Sequence, residues 1–366
     1  MQLTELRLQQ FRNLLRLDFQ PQPGLNILGG ANAQGKTNIL EAVYVTGTTT
    51  SFRSGKETNL INHQASCCII NACHQKEDRA VQSRLCFDRE QGKVFQINGK
   101  KAYRNHADRL RVVLFTPDDL YLIKGSPAKR REFLDFTLRQ ISRPYAYEFN
   151  NYLGLLKRRN DMLRKEQGHH KTYAIINDLF IKSAAEVTIA RIRFIHHLQE
   201  KAGMIHQRLA GTGHELKLRY ALSFPVDSDT INLDILREHL LHAGYNKREQ
   251  ERIRRISLIG PHLDDLNIYI DNKLARWFAS QGQQRHLVVV LKLAEIYSFA
   301  AITGYYPIFL LDEVLAEFDQ QHKALLLEEL AQAKYQAFLT SVEAISTVPP
   351  QAALYQVHNG TITRKE

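Results

Sequence analysis

Cysteine is scarce in this chain of 366 residues: only Cys67, Cys68, Cys73 and Cys86 occur, with no Cys-x-x-Cys and no histidine at metal-ligand spacing. No disulfide framework and no Cys-x-x-Cys zinc hook is implied, and a reducing, cytoplasmic setting is expected. The four lie in short alternating segments, where free cysteine behaves as a small core residue. Long apolar runs are missing too. "LVVVLKLAEI" is broken by charge well short of a membrane span, so no membrane association is expected. The opening "MQLTELRLQQF" alternates and carries charge, which does not fit a signal peptide. Internal repeats, low-complexity tracts and sustained heptads are absent. Acidic residues are in the minority, 38 against 49 Lys and Arg, for a formal charge of +11. Such an excess points to a polyanionic partner, because the field raises encounter rates; the plainer reading is solubility. What remains is ordinary globular composition, 44% apolar and 24% charged, with room for two or three structural units.

Periodicity supplies the outline. "LTELRLQQF" and "LRLDFQ" alternate like half-exposed strands, and "GLNILGG" reads as a short buried strand before a loop and helix. "CCIINACH", "VQSRLCFD" and "KVFQING" read as a strand meander, and "RVVLF" as a strand before a Pro-Asp-Asp helix start. From 127 to 255 the spacing of apolar residues is mainly helical, broken at Gly168-His169-His170 and by the strand-like "ELKLRYALSF". "LNIYIDNKLARWF" returns to strand, with a hairpin turn at Asp271-Asn272 and Trp277 expected in the core beneath the following helix. That helix, a strand "YYPIFLLDE", a helix at 321 to 333 and a strand "YQAFLTS" complete the reading. The expected organisation is an α/β head built from 1–126 and 256–366, with a mainly helical lobe inserted at 127–255.

Three motifs carry chemistry. Gly30-Ala31-Asn32-Ala33-Gln34-Gly35-Lys36-Thr37 fits G-x-x-x-x-G-K-S/T, after a strand and at the start of a helix. Terminal glycines let backbone N–H groups curl around phosphate; Lys36 neutralises it, and Thr37 offers a hydroxyl to Mg2+. In "PIFLLDEVLAEFD" a strand ends at Asp312, a second Mg2+ residue, and Glu313 is set to polarise water as general base. The third motif, "ASQGQQR", has Ser280 as a helix N-cap followed by Gly282 and Gln283, an anion-binding nest. A chain with one complete phosphate loop leaves this nest for the γ-phosphate held by a second copy.

These motifs, in this order, resemble the ABC-type ATPase heads shared by SMC, Rad50 and RecF proteins, and are most similar to the RecF family. "LTELRLQQFRNL", "GANAQGKTN", "FTPDDLYLIKGSPAKRREFLD", "GPHLDDL", "SQGQQR" and "LLDEVLAEFD" carry the resemblance over nearly the whole chain. It implies an ABC-ATPase-type P-loop head, ATP and Mg2+ as ligands, and slow hydrolysis that times an ATP-dependent homodimer. It extends the nucleotide set to Asn38 and puts Asp319 at the dimer interface. It also implies DNA binding at single-strand gaps and stalled forks, with RecO and RecR, in recombinational repair, replication restart and SOS induction. The chain departs from the pattern at Phe52, where the family carries histidine, and at Leu263, where a basic residue is usual. Thr340 and Ser341 stand where many ABC ATPases have a switch histidine.

Basic residues cluster at Lys100-Lys101 with Arg104, at Lys129-Arg130-Arg131, at Lys157-Arg158-Arg159 and at Arg252, Arg254 and Arg255. The clusters 129–131 and 157–159 are the candidates for double- or single-stranded DNA; the plainer reading of each is a solvated helix face. Two competing functions are an SMC-like or Rad50-like DNA tether with a nuclease partner, and an ABC-type ATPase that regulates something other than DNA. The short helical insertion argues against the tether, and DNA-stimulated ATP turnover would separate the other.

Overall fold

A computed structural model describes residues 1–53, 55–103, 106–166, 171–210, 214–225, 232–342 and 348–365. The chain divides into two compact units, one of residues 1–119 with 299–366 and one of residues 120–298.

Among the described residues the first unit holds two sheets. An antiparallel meander runs through β1 (Gln2–Phe11), β2 (Leu14–Phe19), β4 (Cys67–Lys76), β5 (Arg79–Asp88), β6 (Gly92–Ile97) and β7 (Lys100–Lys101), in the order β2-β1-β4-β5-β6-β7. Its strands alternate buried and exposed residues, as a sheet with one covered face requires. The second sheet has the order β15-β14-β3-β13-β12-β8. Its members are β3 (Leu25–Gly29), β8 (Val112–Phe115), β12 (Ile308–Leu311), β13 (Ala337–Ser341), β14 (Ala353–His358) and β15 (Thr361–Lys365). From β14 to β8 every pairing is parallel, and β15 closes the edge antiparallel to β14. Ile308 to Leu311 are all at 0% exposure, the continuous burial of a strand covered on both faces. Helix α1 (Lys36–Thr48) touches strands of both sheets and is buried almost throughout. Helix α9 (Gln320–Ala331) follows β12.

The second unit is mostly helical. It contains α2 (Tyr121–Lys124), α3 (Pro127–Ile141), α4 (Arg143–Arg164), the 40-residue α5 (Lys171–Ala210), α6 (Leu233–Arg254), α7 (Ala275–Phe278) and most of α8 (Gln281–Thr303). Helices α4 and α6 pack on α5. A three-stranded antiparallel sheet of β9 (Leu216–Ala221), β10 (Asp265–Ile270) and β11 (Lys273–Leu274) packs against α3 and α5. The β10–β11 turn is Asp271-Asn272, both at positive φ of 51° and 61°, as a two-residue hairpin demands. Register explains why this unit extends past residue 255: β9 pairs with β10 from Ala221↔Asp265 to Leu216↔Ile270, and this holds 265–270 against the helices. By length and composition α8 is apolar enough to cross a membrane, but 67% of its apolar window is buried within the protein, as befits a core helix.

Three features differ from the expectation. The second unit spans 120–298 rather than 127–255, so residues 256–298, with Ser280, belong to it and not to the first unit. The strand at 337–341 does not end the fold: β14 and β15 follow, joined by Asn359-Gly360 at φ 47° and 74°. Trp277 is 75% exposed and Phe278 is 69% exposed, so neither belongs to the core. Helix α7 is a single turn, and Ala275, at 1%, is the residue it turns inward. Gly168, His169 and His170 lie outside the described residues.

Candidate nucleotide site

The loop between β3 and α1 begins and ends at glycines whose positive φ a side chain would strain. Gly30 has φ 152°, and a Cβ there would sit 2.4 Å from the carbonyl oxygen of Val357. Gly35 has φ 109°, and its Cβ would meet Leu14 at 2.9 Å. The N-cap of α1 is Gly35, which has no side chain to cap the helix, and the helix dipole favours an anion there. The Lys36 ammonium folds back and donates to the carbonyls of Gly30 and Ala31 at 2.8 Å each. Burial lowers its pKa, while Glu313 and Asp312 pull the other way. Those carbonyls stand in for the anion that such a lysine meets in an NTP site.

Thr37 and Asp312, 275 residues apart, meet directly: the Thr37 hydroxyl donates to Asp312 Oδ1 at 2.9 Å. Thr340 donates to the same oxygen at 2.8 Å and accepts the N–H of Glu313 at 2.9 Å. Burial raises the Asp312 pKa, opposed by the hydrogen bonds from Thr340 and Thr37. A hydroxyl and a carboxylate converging beside a phosphate loop form a hard-oxygen donor pair, which fits Mg2+. Glu313 follows at φ 53°, a left-handed conformation that non-glycine residues seldom hold.

Around the loop, Asn13 donates to the Ala33 carbonyl at 3.2 Å and accepts from Asn38 at 2.6 Å. Arg53 donates to Asn38 at 2.8 Å. Arg12 grips the fully buried Glu41 of α1 through Nε at 3.0 Å and a terminal nitrogen at 2.7 Å, and Ser51 also donates to Glu41. The C-terminal hairpin supports the loop as well: Asn359 N–H donates to the Gln34 side chain at 2.7 Å, and Gly360 N–H to the Gln34 carbonyl at 3.1 Å. An Asn-Gly pair between two apolar runs is the sequence signal for that hairpin. Asn32 accepts from Gln34 at 3.5 Å.

In the second unit Ser280 caps α8 as part of a reciprocal box. Its hydroxyl accepts the Gln283 N–H at 3.2 Å, and the Gln283 side chain accepts the Ser280 N–H at 2.9 Å. Ser280, Gly282 and Gln283 are all exposed. In the first unit Asp319 caps α9, accepting the His322 N–H at 2.9 Å.

The family described as RecF/RecN/SMC N terminal domain matches residues 2–363. The DNA replication and repair protein RecF of Halalkalibacterium halodurans is 37% identical over 373 residues, with 100% of each chain covered. The chain belongs to the RecF family. A RecF of Enterococcus faecalis is 35% identical over 375 residues, covering 100% of this chain and 99% of the relative. Among solved structures, the recombination mediator protein RecF with ATPrS, of the RecFOR pathway, aligns with a TM-score of 0.89 and 25% identity, covering 100% of this chain and 98% of that one. The fold is therefore the α/β ABC-ATPase head of the RecF and SMC proteins.

Two of the DNA candidates, Arg130 and Arg159, instead form ion pairs within the second unit, which corrects the expectation for those two residues. Arg130, in "KRREFLD", is 2% exposed and bidentate to Asp265 at 2.7 and 2.9 Å. Arg159 is 1% exposed and bidentate to Glu251 at 3.0 and 2.6 Å. Arg159 cannot reach a phosphate backbone without stranding the buried Glu251 carboxylate, and Arg130 is held to Asp265, which Arg276 also meets at 3.3 Å. Arg131 donates to the Asp264 carbonyl at 2.7 Å. Lys129 is exposed beside Glu132 at 3.5 Å, and Lys157 and Arg158 are exposed. Lys100, Lys101, Arg252, Arg254 and Arg255 are exposed as well, whereas Arg104 lies outside the described residues.

Proposed function

We propose that this RecF-family chain is an ATP-operated, DNA-binding dimer of recombinational repair. ATP binds at residues 30–38, with Thr37 and Asp312 as the residues that would hold Mg2+. Magnesium held there would supply charge neutralisation to the bound phosphates. Two copies close head to tail, and Ser280, Gly282 and Gln283 of each meet the γ-phosphate bound by the other, with Asp319 near the interface. Glu313 polarises water as general base, and slow hydrolysis reopens the pair. A nucleotide that binds the dimer better than the monomer shifts the equilibrium by linkage.

The observation that carries this reading is the Thr37–Asp312 contact beside Lys36, because it brings two motifs from opposite ends of the chain to one oxygen-rich point. The exposure of Ser280 and Gly282 at the start of α8 supports their role, because a helix N-terminus favours an anion. The basic excess supports DNA as the partner. Family membership supports action in the cytoplasm with RecO and RecR at gaps and stalled forks, in replication restart and SOS induction; the solved relative is described as a recombination mediator of the RecFOR pathway.

Sedimentation of Glu313→Gln with and without ATP tests it. The expected result is an ATP-dependent dimer that Ser280→Arg prevents without loss of ATP binding. A monomer at every ATP concentration, or dimers that persist in Ser280→Arg, overturns the scheme.

A further inference from the structure

Thr340 is fully buried near the end of β13, the strand between β3 and β12. Its register partner on β3 is Leu28, and Leu339 beside it pairs with Leu311. The end of β13 therefore separates the strand that feeds the phosphate loop from the strand that ends at Asp312. A buried position next to Leu339 and two residues from Phe338 suits valine, which has the shape of threonine and no hydroxyl to desolvate. The hydroxyl here is used twice. It donates to Asp312 Oδ1 at 2.8 Å and accepts the Glu313 N–H at 2.9 Å. Glu313 meanwhile holds φ 53°, a conformation that persists in a non-glycine residue only where the surroundings fix it.

We propose that Thr340 is a positioning residue of the ATP site, its single hydroxyl fixing the Asp312 carboxylate and the Glu313 backbone relative to each other. This rests on the ATP-site reading above. Consecutive acids have separate tasks there: Asp312 faces Thr37, and Glu313 is left to water. Threonine is stiff at χ1, so one hydroxyl bonded on both sides can hold the peptide between the two acids. A residue of the same shape without the hydroxyl frees the carboxylate to rotate and releases the left-handed turn. Thr340 acts only through these two neighbours.

The test compares Thr340→Val and Thr340→Ser with the unmodified full chain. A fluorescent ATP analogue is titrated in EDTA and in Mg2+, and hydrogen exchange is followed at the Glu313 amide. Thr340→Val is expected to bind the analogue in EDTA unchanged, to lose about tenfold of the affinity that Mg2+ adds, and to lose protection at Glu313. Its kcat falls more than its KM rises, and Thr340→Ser restores all of these. A valine variant that matches the unmodified chain in both readouts overturns the proposal, as does a serine variant as defective as valine. Should valine prevent folding, Thr340→Cys, similar in volume and a weak acceptor, takes its place under the same criteria. Lys36→Ala, run alongside, separates the two readings: undiminished analogue binding there overturns the ATP site, while exchange at Glu313 still reports on Thr340.

Discussion

In the first unit the Lys36 ammonium rests on two backbone carbonyls at 2.8 Å. In the second, the Arg191 guanidinium is bidentate to Asp135 at 2.8 Å on both arms, and also donates to Tyr220 and to the Pro261 carbonyl. Carbonyls are partners that an incoming anion can replace at little penalty. A buried carboxylate is not, because removing the cation strands its charge. The same contrast holds for the aspartates. Asp312 meets hydroxyls from Thr37 and Thr340, whereas Asp135 takes the Tyr145 hydroxyl at 2.6 Å as well as both arms of Arg191. Polar groups set for a ligand have exchangeable partners; polar groups that hold a fold are closed on one another.

Arg191→Leu should break the comparison most visibly. It leaves Asp135 buried against Tyr145 alone, which costs about 3–5 kcal/mol. In a unit of this size that lowers the melting temperature on the order of 10 °C. Lys36→Met removes a cation of similar reach from two carbonyls, and its melting temperature should change by only a few degrees. Arg191→Leu with Asp135→Leu should regain most of the loss, since no charge is then stranded. Equal melting temperatures for Arg191→Leu and Lys36→Met would abolish the distinction.

This contrast also marks what is legible in the sequence. The phosphate loop, the strand ending at Asp312 and the cap at Ser280 are local patterns, so spacing alone exposes them. The Asp271-Asn272 turn is local too. Arg130 and Arg159 are not, because their partners lie 135 and 92 residues away, and a run of three basic residues looks the same whether one of them points inward or all face water. On α4 the run 157–159 spans less than one turn, so Arg159 faces α6 while Lys157 and Arg158 remain exposed. Trp277 misleads for a related reason: four residues are too few for periodicity to say which side of a turn is buried. The Asn359-Gly360 hairpin carries a local signal, and its pairing with Gln34 does not.

Protonation provides a smaller effect in which the two units should behave alike. Burial pushes His74 in the first unit and His262 in the second down to about 4 from an ordinary 6.5. His74 Nε2 is 2.9 Å from the Asp108 carbonyl, and His262 Nδ1 is 2.6 Å from the Tyr152 hydroxyl. Both rings stay neutral in the fold while the unfolded chain binds protons below about 6.5. Unfolding then takes up protons, so the stability they contribute is intact above about pH 6.5 and is lost as pH falls through about 4. Melting curves between those limits should flatten in His74→Gln and in His262→Gln. An unchanged pH slope in both variants would mean that burial is not what keeps the rings neutral.

The smallest expected effect bears on DNA and sharpens the comparison within one helix. Lys157→Glu with Arg158→Glu changes two exposed residues and should leave the melting temperature within a few degrees of the unmodified chain. If those residues meet phosphates, the salt dependence of duplex binding falls by about two units of log–log slope, one for each phosphate that is no longer neutralised. Arg159→Gln, one position further along, should do the reverse. It strands Glu251, lowers the melting temperature, and leaves the slope for the remaining folded protein unchanged, because the slope counts only cations that displace counterions from the duplex. An Arg159→Gln protein that melts normally but loses slope would return that residue to the DNA surface. A Lys157→Glu, Arg158→Glu protein with full slope would clear α4 of DNA binding and leave the exposed Arg252, Arg254 and Arg255 of the α6 end as the next cluster to reverse.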